Sequence, residues 1–253
     1  MNLTYFDSNT WLIEIDQQRI LLDPWLVGKL TFGDKLSWLF EGQKNNFQPI
    51  PENIDLILLS QGLEDHAHTP TLKKLNKQIP VVASPNAAKV VQELGYETVT
   101  ALEHQQSFEL GKVTIKAVAG SPIGPTLVEN GYIISGSESG KSIYYEPHGY
   151  HSPSLQQETN IDVIITPLVN LKLPLLGAVI KGQKSALEVC QWLKPQVILS
   201  TAAGGDVDFQ GLVASILRSE GTLEEFNYML KEHQLNTRAI DPKSGEKIPL
   251  SLV

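Results

Sequence analysis

The chain has 253 residues, 42% of them hydrophobic and 19% charged, which is enough apolar material for a sizeable core and excludes a disordered chain. Its single cysteine excludes a disulfide scaffold, and no run of about 18 apolar residues predicts a transmembrane segment. The formal charge of −8 disfavours nucleic acid as a partner, because an acidic surface repels phosphate backbones. We expect a small-molecule enzyme or binding protein instead.

Short β-like runs dominate the first half of the chain. Residues 11–15 and 19–23 read as a hairpin, and the continuous apolar run at 54–59 is typical of a strand buried on both faces. A helix is expected to start near Thr69 and Pro70, and a second over 85–94, with Ser84 as its cap. Further strands are predicted at 80–83, 97–100, 106–110 and 112–119.

The second half repeats this order of elements. Residues 131–134 and 142–145 flank a Gly/Ser-rich turn and predict another hairpin. Buried strands at 161–165 and 195–199 enclose a helix at 183–193, and a last helix at 222–233 precedes short strands. Two hairpins, each followed by strand–helix units, predict an α/β fold with two packed sheets between helices, a four-layer αββα sandwich. No linker interrupts the pattern, so we expect a single domain over 1–253.

Two polar segments at predicted strand ends are candidates for a site. The first contains Asp65, His66 and His68, and the second contains Glu146, His148 and His151. Carboxylates and imidazoles suit zinc, iron or manganese, and ligand sites favour the carboxyl ends of strands. Each segment alone also fits a polar loop with solvated histidines. Together they hold four of the six histidines, which favours a shared site.

The chain resembles the metallo-β-lactamase superfamily, in its broad branch of metal-dependent hydrolases. The similarity lies in four stretches and covers roughly 5–205. It implies the αββα sandwich, with a site between the edges of the two sheets. The stretches are the first hairpin at 9–25, the segment 57–66 at the place of the family's histidine-rich signature, the strand 142–148, and the helix and strand at 186–200.

The resemblance also implies that the family's usual metal-binding motif is incomplete here. Gln61 and Leu63 stand where the signature has its first two histidines, and the segment 119–124 lacks a further one. His148 falls at the position of the bridging aspartate, and Ala202 at that of the last histidine. A dinuclear zinc site of the ordinary kind cannot be assembled from these residues.

The remaining groups predict a mononuclear site with Asp65, His66 and His148 as ligands to one divalent ion, zinc first, with iron or manganese as alternatives. His68 or His151 could replace one of them. Asp65 and Glu146 are the candidate catalytic residues, with Glu146 as a general base or as a partner of a ligand. Such a site could hydrolyse an ester, amide, lactone or phosphoester.

A second hypothesis is a non-catalytic protein that kept the fold, lost the metal and binds a small or apolar ligand. Apolar stretches at 25–27, 36–40 and 168–177 could form a groove for an acyl-like ligand, a homo-oligomer contact, or ordinary loop packing. The first residues have neither the basic nor the apolar region of a secretory signal, so we expect a cytoplasmic protein. We interpret 136–142 as a hairpin turn rather than a phosphate loop, and Cys190 as a core residue.

Overall fold

A computed structural model describes residues 1–32, 38–174, 177–202 and 205–252 of the protein. Most of the secondary structure is in strands. In chain order they are β1 (Asn2–Tyr5), β2 (Trp11–Ile15), β3 (Gln18–Leu22), β4 (Leu30–Thr31), β5 (Glu41–Lys44), β6 (Leu56–Leu59), β7 (Val81–Ala83), β8 (Val99–Ala101), β9 (Ser107–Leu110), β10 (Val113–Ile123), β11 (Leu127–Gly136), β12 (Ser142–Tyr145), β13 (Val163–Ile165), β14 (Asn170–Leu173), β15 (Gly177–Ile180), β16 (Val197–Leu199), β17 (Val207–Gln210), β18 (Arg218–Glu220), β19 (Arg238–Ile240) and β20 (Lys247–Pro249).

Three of the helices begin after a residue whose side chain accepts from a free backbone amide. Ser84 accepts from the amide of Ala87, and Thr222 forms a capping box with Glu225. In the parts that the structure describes, no helix is long and apolar enough to cross a bilayer. The helices are α1 (Thr69–Lys74), α2 (Pro85–Glu93), α3 (Lys184–Leu193), α4 (Leu212–Ile216) and α5 (Leu223–Glu232), with a 3₁₀ turn at Pro153–Gln157.

The strands form two large sheets and two small ones. The N-terminal sheet has the order β20-β1-β2-β3-β6-β7-β8, and the C-terminal sheet has the order β19-β16-β13-β12-β11-β10-β9. In each, an antiparallel hairpin leads into parallel strands, β3-β6-β7 in one and β12-β13-β16 in the other. The small sheets, β17-β5-β4 and β15-β14-β18, lie outside this repeat.

Apolar side chains alternate between two layers of core, which fixes the four-layer arrangement. On β6, Leu56 and Leu58 join the cluster between the two large sheets, while Ile57 and Leu59 pack with residues of α1 and α2. The outer face of the C-terminal sheet packs in the same way against α3 and α5. The predicted αββα sandwich is therefore confirmed.

Most differences from the predicted elements concern strands. β10 runs to Ile123 rather than stopping at 119, with an irregular register between Ala119 and Pro122. A side chain at Gly120 would come within 2.8 Å of the backbone of Gly131, so glycine allows this close approach. The small-sheet strands were not predicted, because they are short and half exposed. The turn at 136–142 and the burial of Cys190 are confirmed.

Candidate metal centre

Three side chains of the types that bind metals meet beyond the C-terminal ends of β6 and β12, one strand from each large sheet. Asp65 and His66 follow β6 of the N-terminal sheet, and His148 follows β12 of the C-terminal sheet. One ligand atom from each lies within 4.8 Å of those of the other two. His66 Nε2 lies 3.2 Å from Asp65 Oδ2, and the two imidazole rings are 5.0 Å apart. The two polar segments of the sequence thus meet in space.

Asp23 orients the ring of His66. Its Oδ2 lies 2.7 Å from Nδ1 of His66, and both side chains are fully buried. Ser60 and Tyr145 also donate to the Asp23 carboxylate, which leaves it an acceptor toward the imidazole. This arrangement places the proton of the neutral ring on Nδ1 and leaves Nε2 toward Asp65.

Gln61 and Ser121 hold the ring of His148. Nδ1 of His148 lies 2.7 Å from the Gln61 amide and 3.1 Å from the Ser121 hydroxyl, and these two partners are 2.7 Å apart. Both contacts are made to Nδ1, and the Gln61 amide nitrogen donates to it, so they fix the orientation of the ring. Gln61 therefore touches a candidate metal ligand from the position where the related motif has a histidine.

The charges of the triad are strongly coupled. Burial alone lowers the pKa of His66, but the carboxylates of Asp65 and Asp23 raise it to about 10. Burial raises the pKa of Asp65, yet His66 and His148 bring it below its usual value. Burial and the neighbouring His66 lower the pKa of His148 to about 3.

These groups fit a divalent cation. Oδ1 of Asp65 is buried and has no hydrogen-bond partner among the described residues, which is costly for a carboxylate oxygen. Two imidazoles and one carboxylate form a donor set for zinc or iron that leaves coordination positions open. The triad could therefore hold one ion.

Glu146 is buried next to this triad. Its Oε2 accepts from the amides of His148, at 3.1 Å, and Tyr150, at 2.7 Å. Its Oε1 is buried and has no partner in the described ranges. Burial raises the pKa of Glu146 to about 7, against the lowering effect of these amides. The carboxyl therefore fixes the loop that carries His148 and can change its protonation near neutral pH.

His68 and His151 lie outside the triad. His68 caps α1, with Nδ1 2.9 Å from the Thr71 hydroxyl and Nε2 3.0 Å from the carbonyl oxygen of Lys29. His151 contacts the hydroxyl of Tyr144 at 3.0 Å and faces a separate groove of about 910 Å³. Both histidines are thus placed where they have other partners.

A smaller cavity of about 190 Å³ adjoins the triad, since Asp65 contributes to its wall. Phe40 and Leu171, from two of the apolar stretches in the sequence, also line it. Trp25, from the stretch at 25–27, is instead fully buried in the fold. Residues 36–37 and 175–176 of these stretches lie outside the described residues.

The residues that orient the triad were not predicted. Asp23 was read only as the end of a strand, and Gln61 only as a missing histidine. The parallel pairing of β3 with β6 brings Asp23 next to Ser60, so this pairing is the signal that could have identified it. The contact of Gln61 with His148 joins two sheets and has no local signal in the sequence.

Comparisons with known proteins agree with the fold. A family model described as Beta-lactamase superfamily domain matches residues 2–202. No curated protein sequence matches the chain. Among solved structures, an isothiocyanate hydrolase from Delia radicum gut bacteria has a TM-score of 0.72 at 16% identity, with 99% of each chain covered.

Two further structures share the fold at low identity. Igni18, a metallo hydrolase from Ignicoccus hospitalis, has a TM-score of 0.66 at 18% identity, over 98% of this chain and 97% of that chain. CmlA, a diiron β-hydroxylase from Streptomyces venezuelae, has a TM-score of 0.71 at 14% identity, over 98% and 54%. Because the family model matches most of the chain and the fold agrees with it, the chain belongs to the metallo-β-lactamase superfamily.

Proposed function

We propose that the protein is a metal-dependent hydrolase with a mononuclear centre held by Asp65, His66 and His148. The observation that carries the proposal is that one ligand atom from each residue lies within 4.8 Å of the other two, beyond the ends of β6 and β12. Zinc is the first candidate ion, and iron or manganese are alternatives that share the donor set. The proposed substrates are small molecules with an ester, lactone or phosphoester bond.

The residues around the triad have separate tasks in this proposal. When bound, the ion supplies a Lewis acid and makes water a better nucleophile near neutral pH. Asp23 keeps Nε2 of His66 free for coordination, and Gln61 with Ser121 fixes the orientation of the His148 ring. Glu146 is the candidate base, because it is buried next to the triad and its Oε1 has no hydrogen-bond partner among the described residues.

Elemental analysis of untagged protein, purified without chelators, tests the metal site. We expect close to one equivalent of zinc, iron or manganese in the wild type and almost none in His66→Ala. The matched control is His233→Ala, since His233 is exposed at the C-terminal end of α5 and its replacement should leave the metal content unchanged. Circular dichroism of all three proteins checks that they are folded. Two equivalents would contradict a mononuclear site, and unchanged metal in His66→Ala would contradict the ligand set.

Activity is then screened with esters, lactones and phosphodiesters on the metal-loaded protein. Isothiocyanates join the screen, because a protein of the same fold is named as an isothiocyanate hydrolase. Glu146→Gln should lower kcat by about 10²- to 10⁴-fold with little change in metal content, the range expected for a general base. Unchanged kcat in that variant would remove Glu146 from the proposal.

A non-catalytic binding protein is the second candidate. The glutamine, leucine and alanine at positions 61, 63 and 202 favour it, since the related motif has metal ligands there. Metal far below one equivalent, persisting after reconstitution, is the result that would select it over the hydrolase.

A further inference from the structure

The cavity beside the triad has walls from two different small sheets. Phe32, Phe40 and Phe209 come from the β4-β5-β17 side, and Phe40 lies 5.5 Å and 5.4 Å from the other two ring centres. Leu171, Ile180 and Leu217 come from the β14-β15-β18 side. An aromatic wall therefore faces an aliphatic wall across the cavity.

One end of this cavity is polar and belongs to the triad. Asp65 lines it, and so does Asn9, whose amide nitrogen lies 3.4 Å from Nε2 of His66. A molecule that fills the apolar part can thus reach Asp65, one of the three candidate metal ligands. Binding pockets commonly combine apolar walls with a few polar groups that orient the ligand.

Size and charge limit what can enter. The volume of about 190 Å³ slightly exceeds that of a cavity of about 150 Å³ known to bind benzene, so one ring or about six carbons fit. Among the described residues that line the cavity, none is basic. In the metal-free protein, a carboxylate or phosphate in the apolar part of the cavity would therefore lack a compensating charge, which is unfavourable. The lysines 172, 181 and 184 line the separate groove of about 910 Å³, which touches no member of the triad.

We infer that this cavity binds the compact, uncharged apolar part of the substrate, such as a phenyl ring or a six-carbon acyl chain. This inference rests on the proposed function and narrows its substrates to those with a compact, uncharged apolar group next to the scissile bond. The aromatic and aliphatic walls hold the apolar group, and the scissile bond lies at the polar end next to Asp65.

Binding of benzyl alcohol to metal-free protein tests the cavity independently of catalysis. By ligand-observed NMR we expect millimolar binding to the wild type, and at least tenfold weaker binding to Phe209→Ala, which removes part of the aromatic wall. Phe209 is 37% exposed on β17, so the variant should fold. Ile180→Phe, which fills the space from the other wall, should also weaken binding. Phe47→Ala is the matched control, since Phe47 is exposed and lies outside the cavity lining.

Benzoate serves as the charged counterpart of benzyl alcohol. We expect it to bind metal-free protein at least tenfold more weakly, and equal binding of the two would overturn the inference. So would wild-type affinity for benzyl alcohol in both Phe209→Ala and Ile180→Phe. In metal-loaded protein, the kcat/KM for p-nitrophenyl esters should peak near hexanoate, and Phe209→Ala should lower hexanoate hydrolysis about tenfold more than acetate hydrolysis. Benzyl alcohol binding without any hydrolysis would refute the hydrolase and leave the cavity inference intact.

Discussion

Replacing Asp23 by asparagine tests whether this residue sets the tautomer of His66. The amide of Ser60 donates to Oδ1 of Asp23 at 2.7 Å, so the asparagine oxygen must take this place. Its NH₂ group then occupies the position of Oδ2, which lies 2.7 Å from Nδ1 of His66. Nδ1 becomes an acceptor, and the ring proton moves to Nε2, the atom that faces Asp65.

The substitution keeps the side-chain volume, so the effect on packing is small. Loss of such an orienting contact typically weakens metal binding about 10- to 100-fold, or about 1.4 to 2.8 kcal/mol. Zinc affinity is measured by competition with a chromophoric chelator, and the ring tautomer by ¹⁵N NMR of metal-free protein above pH 10, where the His66 ring is neutral. Asp16→Asn is the matched control, because Asp16 also binds backbone amides but in the hairpin turn around Ser139. Unchanged affinity in Asp23→Asn, or an unchanged tautomer, would refute the reasoning.

Three further predictions concern other groups. His68→Ala should lower the free energy of unfolding by about 1 kcal/mol, the usual value of a helix cap, and leave metal content unchanged, as measured by urea unfolding and elemental analysis. Burial lowers the pKa of Lys44 from 10.5 to about 8, against the effect of Asp7, so the unfolded chain binds more protons between these values. Wild-type stability relative to Lys44→Met should therefore rise as the pH increases from 8 to 10.5, in urea titrations at several pH values. Burial raises the pKa of Cys190 to about 12, so the thiol should react with Ellman's reagent only after unfolding.

The sequence predicts the large sheets well, because their strands carry a strong local signal. The runs at 54–59 and 161–165 are mostly apolar, and each contains a fully buried strand, β6 and β13. The small sheets have no such signal. Leu171 and Phe209 are only partly buried, so their pairing depends on contacts between distant segments rather than on local hydrophobicity.

The candidate site was predicted in part for the same reason. Asp65, His66 and His148 stand out because each follows a buried strand. They come together because β6 and β12, from the two packed sheets, end close to each other. His68 lies two residues from His66, yet it turns away to cap α1, which spacing alone cannot distinguish from coordination. The single domain, the cytoplasmic location and the homo-oligomer stay predictions.

The C-terminal segment has a consequence for aggregation. β19 pairs with β16 and forms one edge of the C-terminal sheet. β20 pairs with β1 and forms one edge of the N-terminal sheet. A chain shortened before Arg238 would expose the backbone N–H and C=O groups of two edge strands at once. Unpaired edges recruit strands from other chains, so we expect such a shortened chain to self-associate. The twelve residues 238–249 thus cover β16 and β1 and leave edge strands of three residues in their place, a length that limits intermolecular pairing.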